Sequence, residues 1–217
     1  MRKMGKMRFI VTAGPTREFI DPVRFLSNPS TGKMGFAVAR AAAARGHEVT
    51  LVAGPVALKS PRGVRRVDVT SARDMLSAAK AALAAPTECA GTVFVGTAAV
   101  ADWRAARCAA KKLKKREMAG VLRLVRNPDI LKEVKAEVKV GFAAETGDAI
   151  AEAARKCREK RLAMVVANDV TERGCGFGAD TNRVAFVRRD GTVEKLPLMS
   201  KAAVARRIVR ACEDLCP

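Results

Sequence analysis

The residues best suited to chemistry lie in one segment near the N-terminus, VTAGPTREFIDPVRFLSNPSTGKMG, from Val11 to Gly35. This segment joins an apolar strand to an Ala-rich helix through a loop of Gly, Pro, Ser, Thr and Asn. In α/β proteins, backbone N–H groups and the positive end of a helix converge at such a place and bind anions. The loop also carries side chains that suit several negative groups: Arg17, Arg24, Asn28 and Lys33. The segment therefore predicts an enzyme that handles phosphates.

Further candidates follow other predicted strands or lie on a predicted helix. Asp102 follows the fourth strand, where its carboxylate could accept hydrogen bonds from a ribose or base, hold Mg²⁺, cap a helix or pair with Arg104. Lys156 and Lys160 are four residues apart and share one helix face, which is unfavourable unless an anion lies between them, although an ordinary surface helix has the same spacing. Asn168 at a strand tip and Asn182 in a turn-rich loop are polar but not specific.

The run KKLKKR, residues 111–116, has three interpretations. It is a solvated charge run, a nucleic-acid patch, or a mobile flap whose lysines close over a polyphosphate. The sequence around it does not choose among them.

Two common nucleotide-binding motifs are absent from the first loop. The segment from Ser30 to Gly35 resembles a P-loop, but Met34 follows Lys33 where the motif needs Ser or Thr, so ordinary helix capping is the alternative. The dinucleotide fingerprint needs a tight glycine turn and an acidic residue after the second strand. That strand ends in VAGP, residues 52–55, without a carboxylate. An NAD enzyme is therefore disfavoured, whereas an NADP variant that uses Arg stays open.

The composition favours anionic partners and disfavours several protein classes. The chain has 217 residues, with 41 Lys and Arg against 22 Asp and Glu, and a net charge of +19. Only 4% of residues are aromatic and Tyr is absent, which disfavours a base-stacking platform. Six cysteines without a C-x-x-C pair, and His47 as the one histidine, disfavour a structural zinc site. The short apolar run after MRKMGKM predicts a strand rather than a signal peptide or membrane span, and a cytoplasmic location is expected.

The alternation of apolar runs and helical patterns predicts an α/β fold: a doubly wound, Rossmann-like, mostly parallel sheet with a basic flap and a C-terminal hairpin, in a single domain over residues 1–217. The predicted strands are Arg8–Ala13, His47–Val52, Val64–Val69, Thr92–Gly96, Val138–Phe142 and Leu162–Ala167, with a possible edge strand at Val121–Val125 and a hairpin of Arg183–Arg188 and Thr192–Leu196 around Asp190 and Gly191. The predicted helices run from a cap at Ser30 or Thr31 to about Arg45, from a capping box at Ser71 and Asp74 to about Ala84, from about Asp148 to Arg161, and over about Ser200–Cys212.

Seven motifs in order along almost the whole chain resemble the phosphopantothenate–cysteine ligase (phosphopantothenoylcysteine synthetase) family of coenzyme A biosynthesis. They are TAGPTREFIDPVRFLSNPSTGKMG, GTAAVADWR, KKLKK, RNPDIL, GFAAET, ANDV and FGADTNRV. The resemblance implies that a nucleoside triphosphate, with Mg²⁺, activates 4′-phosphopantothenate to an acyl-nucleotide and releases pyrophosphate. L-cysteine then forms the amide. Members that resemble this chain use CTP, whereas animal-type members use ATP, so CTP is the expected nucleotide.

The resemblance also implies roles for individual residues. Lys112 would be the catalytic flap lysine of acyl-nucleotide formation, and Asn28 would be catalytic in the second step. The implied substrate-binding residues are Arg24, Asn28, Ser30, Thr31, Gly32 and Lys33. The implied nucleotide-binding residues are Gly96, Thr97, Ala98, Asp102, Lys112, Pro128, Asp129, Ile130, Leu131 and Phe142, with Lys156 and Lys160 on the triphosphate side. No metal ligands are implied.

The family is dimeric, with the flap near the subunit interface, so a homodimer is expected. Trp103 stands where relatives often carry Tyr, and Ala109 and Ala110 replace a more polar approach to the flap. Many bacterial members carry a flavin-dependent decarboxylase ahead of this domain, so this chain is expected either to release its product to a separate decarboxylase or to be an isolated domain. Two alternatives to the ligase function stay open. They are a Rossmann-fold NAD(P)-dependent oxidoreductase and a nucleic-acid-binding module, which only the charge suggests.

Overall fold

The structure is a computed structural model that describes residues 5–114, 116, 120–169, 171–172, 174–176 and 178–216. Three of the motifs each contain one residue outside these ranges: Lys115 in KKLKK, Val170 in ANDV and Phe177 in FGADTNRV. The strands are β1 Arg8–Ala13, β2 Arg17–Phe19, β3 Phe25–Ser27, β4 Glu48–Ala53, β5 Arg65–Asp68, β6 Thr92–Gly96, β7 Trp103–Ala105, β8 Leu124–Arg126, β9 Val138–Glu145, β10 Met164–Asp169, β11 Thr181–Asn182, β12 Val184–Arg188, β13 Val193–Lys195 and β14 Met199–Ser200. The helices are α1 Lys33–Ala44, α2 Ala72–Ala84, α3 Ile130–Glu133, α4 Ala149–Glu159 and α5 Lys201–Leu215.

The central sheet has eight strands in the order β13-β12-β10-β9-β6-β1-β4-β5. The strands from β10 to β5 pair in parallel, and β12 and β13 add an antiparallel hairpin at one edge. This arrangement confirms the predicted mostly parallel, doubly wound α/β fold with a C-terminal hairpin. Strand β1 lies inside the sheet, between β6 and β4, and all six of its residues are buried. A continuous apolar run is typical of a strand covered on both faces.

The two faces of the sheet bury different helices because successive side chains of a strand point to opposite sides. Phe9 and Val11 of β1 pack with residues of α1 and α5. Ile10, between them in the chain, packs with Met75 of α2 and Ile130 of α3. The helices therefore cover both faces and hold the carboxyl ends of the parallel strands in a rigid row.

The predicted cap of the first helix is wrong. The residue before α1 is Gly32, and neither Ser30 nor Thr31 caps the helix; at φ 77° Gly32 is in the left-handed region, which glycine adopts without the usual steric cost. Gly32 itself has no side chain that could cap the first N–H groups of α1. The chain therefore enters α1 by a tight glycine turn, and the residues expected to cap the helix line a cavity instead.

The structure confirms the capping box predicted at the start of the second helix and the turn predicted in the C-terminal hairpin. The Ser71 hydroxyl accepts a hydrogen bond from the Asp74 amide at 3.2 Å, and the Asp74 carboxylate accepts one from the Ser71 amide at 2.9 Å. In the turn between β12 and β13, Gly191 has φ 89°, a value that favours glycine.

The possible edge strand predicted at Val121–Val125 is shifted along the chain. The strand is β8, Leu124–Arg126, and it pairs antiparallel with β7 in a separate two-stranded ribbon, not with the central sheet. The apolar run in the sequence did not identify a partner strand.

Candidate functional site

Two adjoining cavities lie along the carboxyl ends of the parallel strands. The first cavity has a volume of about 460 Å³ and the second about 330 Å³. Their walls share Ala98, Ala99 and Phe142. Open α/β sheets bind ligands at this edge, so the pair of cavities is the candidate site.

The first cavity brings together most of the residues predicted to bind a nucleotide. Gly96 and Ala98 come from the end of β6, Asp102 from the following turn, and Phe142 from β9. The remaining predicted residues in its wall are Pro128, Asp129, Ile130, Leu131, Lys156 and Lys160, whereas Thr97 lines the second cavity. Residues between 94 and 160 in the chain, together with Thr12 of β1, therefore form one wall.

The two lysines of the first cavity are held by acidic and carbonyl partners. The Nζ of Lys160 lies 2.8 Å from Oδ2 of Asp129, and the Nζ of Lys156 lies 3.6 Å from Oε1 of Glu145. Lys156 also donates a hydrogen bond to the Phe142 carbonyl at 3.3 Å. Each ammonium group is thereby aimed at the cavity from α4 or its end. The acidic partners reduce the repulsion between the lysines without removing their charge.

The second cavity is built on the loop before α1 and includes residues 28–35. The Asn28 amide nitrogen lies 3.3 Å from the Ala99 carbonyl and 3.2 Å from the Val100 carbonyl, which fixes this side chain against the wall that the two cavities share. Close packing shapes the other side: a Cβ on Gly35 would lie 2.5 Å from the Cβ of Ala13. The first turn of α1 therefore approaches the sheet closely enough to face the cavity.

Lys33, also in the second cavity, is paired in this structure. Its Nζ lies 2.7 Å from Oδ1 of Asp180 and donates to the Gly178 carbonyl at 2.9 Å. The Lys33 ammonium lowers the pKa of Asp180 below its usual value. The side chain of Asp180 is 88% exposed, so an incoming anion competes with a solvated carboxylate for Lys33.

Three further polar residues line the second cavity: Asn168 and Asn182, noted from the sequence as polar but not specific, and Lys201, which was not predicted. The Oδ1 atoms of Asn168 and Asn182 are buried and accept no hydrogen bond from the described part of the chain. Lys201 is 7% exposed and donates to the Gly176 carbonyl at 3.2 Å, and burial lowers its pKa. These residues come from β10, β11 and the start of α5, so sequence spacing gave no sign that they meet.

Arg24 and Lys112 lie outside the walls of both cavities. The guanidinium of Arg24 pairs with the Asp21 carboxylate and donates to the Leu113 carbonyl at 2.9 Å. Lys112 is exposed, next to Leu113 in the chain. Their contact with substrate stays a prediction.

The geometry around β4 does not favour a dinucleotide. A Cβ on Gly54, just after β4, would lie 1.7 Å from the Pro15 carbonyl oxygen, so a side chain has no room there. The ribose-binding carboxylate of a dinucleotide site belongs at this strand tip.

Among the described residues, no group of three or more His, Cys, Asp and Glu side chains could hold a metal ion. No helix in the described ranges combines the length and apolar character needed to cross a membrane.

Comparisons with known proteins agree on one family. The model for the DNA/pantothenate metabolism flavoprotein C-terminal domain matches residues 4–215. The chain is 45% identical over 206 residues to the coenzyme A biosynthesis bifunctional protein CoaBC of Bacillus subtilis (strain 168), a match that covers 93% of this chain and 50% of that protein. It is 43% identical over 211 residues to CoaBC of Escherichia coli (strain K12), with 94% and 50% covered. The chain thus spans about half the length of the curated relatives it matches.

Solved structures give the same result. The crystal structure of the C-terminal domain of a CoaBC protein matches with a TM-score of 0.79 and 42% identity, over 98% of this chain and 96% of that one. A Cab2 mutant in complex with phosphopantothenate-cysteine matches with a TM-score of 0.77 over 97% of this chain and 87% of that one. At 16% identity the second match supports the fold alone.

Proposed function

Because the chain belongs to the DNA/pantothenate metabolism flavoprotein C-terminal domain family, we propose that it is a phosphopantothenate–cysteine ligase that uses CTP. One observation carries the proposal: most of the residues expected to bind the nucleotide line one cavity, and most of those expected to bind phosphopantothenate line a second cavity that shares a wall with it. A reaction that joins a nucleotide to an acid, and then replaces the nucleotide by an amine, needs two such adjoining sites.

In the first step, a carboxylate oxygen of 4′-phosphopantothenate attacks the α-phosphorus of CTP. The bond from that phosphorus to the oxygen bridging the α- and β-phosphates breaks, and pyrophosphate leaves. The ammonium groups of Lys156 and Lys160 offer fixed positive charge to the triphosphate in the first cavity, and Lys112 would add charge from the flap. Positive groups placed before the reaction stabilise the charge that develops in phosphoryl transfer.

In the second step, the amine of L-cysteine attacks the acyl carbon, CMP leaves, and the nitrogen loses a proton. Asn28 is fixed at the wall shared by the two cavities, where the acyl-nucleotide bond would lie. Phosphopantothenate would occupy the second cavity. The first turn of α1, with the positive end of its helix dipole, and the ammonium groups of Lys33 and Lys201 support an anion there.

Mg²⁺ would enter with the triphosphate as part of that substrate. The carboxylates in the wall of the first cavity are those of Asp102 and Asp129. Mg²⁺ in nucleotide sites is usually held by one or two carboxylates together with substrate phosphates and water, so the available oxygen donors fit this ion.

We also propose a homodimer, located in the cytoplasm and served by a decarboxylase. Exposed large apolar side chains gather on the β2–β3 hairpin and the β7–β8 ribbon, beside the flap: Phe19, Val23, Phe25, Trp103, Val121, Leu122 and Leu124. Apolar surface of this kind supports an interface with a second copy. The family resemblance implies a decarboxylase that consumes the product, and the bifunctional relatives, of which this chain spans about half the length, are consistent with a second activity on the same or another chain.

The test measures pyrophosphate release with 4′-phosphopantothenate, Mg²⁺ and either CTP or ATP, with and without L-cysteine. Release that requires phosphopantothenate is expected with CTP and little with ATP, and amide product is expected only with cysteine. If neither nucleotide gives pyrophosphate, the ligase proposal is wrong. A substrate-dependent absorbance change with NADPH would then favour the oxidoreductase.

A further inference from the structure

A buried carboxylate outside both cavities joins the β2–β3 hairpin to the flap. Asp21 lies in the turn of this hairpin, and its side chain is fully buried. Its Oδ1 accepts hydrogen bonds from the Val23 and Arg24 amides, both at 2.9 Å. Its Oδ2 accepts one from Nε of Arg24 at 3.0 Å and one from the Leu113 amide at 3.2 Å. Oδ1 thus closes the turn through backbone amides, whereas Oδ2 binds the Arg24 side chain and also reaches across to the flap.

Three contacts tie the flap backbone to this hairpin. Leu113 donates its amide to Asp21 and accepts a 2.9 Å hydrogen bond on its carbonyl from Arg24. Four residues earlier, the Ala109 amide donates to the Ile20 carbonyl at 2.9 Å. The segment from 109 to 113 is therefore fixed at both ends, and Lys112 is the residue before the second attachment.

The turn itself does not need the contact with Leu113. The Ile20 amide already donates to the Arg24 carbonyl at 2.8 Å, and Oδ1 of Asp21 already accepts the two turn amides. The Arg24 guanidinium beside Asp21 holds the pKa of that carboxyl well below its usual range, so the group stays ionised at neutral pH. A permanently charged acceptor makes the stronger kind of hydrogen bond to an amide.

The same hairpin also leads to Asn28. Strand β3 ends at Ser27, whose hydroxyl donates to the Thr16 carbonyl at 2.7 Å, and Asn28 follows directly. The β2–β3 hairpin therefore leads into Asn28, the residue proposed for the second step. At its turn it binds the backbone of Leu113, next to Lys112, the lysine proposed for the first step.

From this connection we propose that Asp21, together with Arg24, is a positioning residue for the flap: it anchors the Leu113 backbone and thereby sets where Lys112 meets the triphosphate. The proposal rests on the proposed ligase function and deepens it. Asp21 touches no substrate in this scheme and acts through Lys112.

The first experiment needs no substrate. Trypsin cleavage of the Lys112–Leu113 bond is followed by mass spectrometry in the full chain and in Asp21→Asn, which keeps the shape of the side chain but removes its charge. Cleavage is expected to accelerate roughly 10-fold or more in Asp21→Asn, because cleavage requires the anchored backbone to open. A matched control is Asp190→Asn, since Asp190 accepts the Thr192 amide in the turn between β12 and β13, far from the flap in the chain. Equal cleavage in the Asp21 variant and the control overturns the proposal.

The second experiment measures acyl-nucleotide formation. The rate of pyrophosphate release is expected to fall roughly 10- to 100-fold in Asp21→Asn, as for a misplaced catalytic group, whereas the Kd for CTP changes little because Asp21 does not line the first cavity. The double variant Asp21→Asn with Lys112→Gln is expected to be no slower than Lys112→Gln alone, since both changes remove the same contribution. Multiplied losses in the double variant contradict the proposal.

A second variant tests the proposal in case Asp21→Asn does not fold. Leu113→Pro removes the amide donor from the flap and leaves the pair of Asp21 and Arg24 in place, and cleavage is then followed at the Lys111–Lys112 bond. The same acceleration and the same slower pyrophosphate release are expected. If the wild-type chain releases no pyrophosphate, the ligase function fails, but the cleavage rates still decide whether Asp21 anchors the flap.

Discussion

Asn28 makes its two hydrogen bonds with an amide nitrogen, and both acceptors are backbone carbonyls at the wall shared by the cavities. In Asn28→Asp the carboxylate has no N–H to donate and repels the phosphoryl group of the acyl-nucleotide. We expect pyrophosphate release to persist while the yield of amide falls by roughly 100-fold, a loss typical for removal of one polar group that acts in the transition state. Both products are measured in the same reaction by chromatography. Normal amide yield would show that Asn28 has no part in the second step.

For Lys112 we expect the first step, and not the second, to be impaired. In Lys112→Gln the flap keeps its length but loses one positive charge, so acyl-nucleotide formation should slow by roughly 100-fold. Lys132→Gln is the matched control, since Lys132 is an exposed lysine of α3 whose side chain is absent from the wall of the first cavity. Stopped-flow detection of pyrophosphate separates this step from amide formation. Wild-type release by Lys112→Gln contradicts the assignment.

Sequence could predict those site residues that share a motif, but not those that meet only in three dimensions. Ser30 to Lys33 and Pro128 to Leu131 were predicted as groups because each group lies within one motif of the family resemblance, the first-loop motif and RNPDIL. Asn168, Asn182 and Lys201 come from three elements. The two asparagines belong to the motifs ANDV and FGADTNRV but had no assigned role, and Lys201 lies in none of the quoted motifs. Arg24 was predicted for an anion, and its guanidinium pairs with Asp21 three residues earlier. A basic residue near an acidic one in a turn has two explanations, and only geometry shows which contact is made.

At the scale of elements, the approach of α1 to β1 depends on one glycine. A Cβ at Gly35 would lie 2.3 Å from the Thr97 hydroxyl, 2.5 Å from the Ala13 Cβ and 3.1 Å from the Ala13 Cα, which is backbone and cannot turn away. Gly35→Ala should therefore lower the free energy of unfolding by roughly 1–3 kcal/mol and weaken phosphopantothenate binding. At Gly147 an added Cβ meets nothing within 4 Å, so Gly147→Ala should change stability by less than about 0.5 kcal/mol. Urea titrations compare the two, and equal stability would contradict the packing argument.

Helix α5 is joined to the sheet by a buried carboxylate. The Nδ1 of His47 accepts the Met7 amide at 3.2 Å, so Nε2 carries the proton that is donated to Glu213 at 2.8 Å. Arg45 donates two further hydrogen bonds to the same carboxylate. Burial alone would raise the pKa of Glu213, but the hydrogen bonds from Arg45 and His47 outweigh it and the pKa is lowered.

A lowered pKa gives Glu213 a definite pH dependence. The ionised carboxylate stabilises the fold above the ordinary glutamate pKa of about 4.3, and this stabilisation is lost as the pH falls through the lower pKa of the folded state. Glu213→Gln should cost roughly 1–3 kcal/mol at pH 7, and the difference from wild type should shrink below about pH 4. Thermal unfolding from pH 3 to 8 measures it. A difference that is constant over this range would exclude a role for the charge.

The bounds of a strand could be predicted from sequence where every residue of the strand is buried or nearly so. Strands β1 and β6 have the predicted bounds because an apolar run covered on both sides leaves no other interpretation. The start of α1 was not predictable from Ser30 and Thr31, since Gly32 adopts a left-handed conformation that turns the loop towards a cavity. A possible edge strand was predicted at Val121–Val125, but a short apolar run does not identify its neighbour, and β8 pairs with β7 outside the central sheet.

For the whole molecule, the apolar β7–β8 ribbon predicts how two copies associate. The chain has a mass of 23.2 kDa, and light scattering should give about twice that value. Leu124→Asp, on the ribbon, should shift the protein to monomer because it buries a charge in the interface. Val193→Asp is the control, since Val193 is as exposed (41% against 40%) but lies on β13. Dissociation by Val193→Asp alone would place the interface elsewhere.

The eight-stranded sheet ends on two short strands, and each end leaves a row of unpaired backbone groups that could recruit a strand from another molecule. Strand β5 is Arg65–Asp68 and carries two arginines and an aspartate, and strand β13 carries Glu194 and Lys195. Short length and mixed charge are the features by which natural sheets resist growth. Continuous extension of this sheet into a filament is therefore disfavoured at both ends, which leaves side-chain packing, and not strand addition, as the route to a closed assembly.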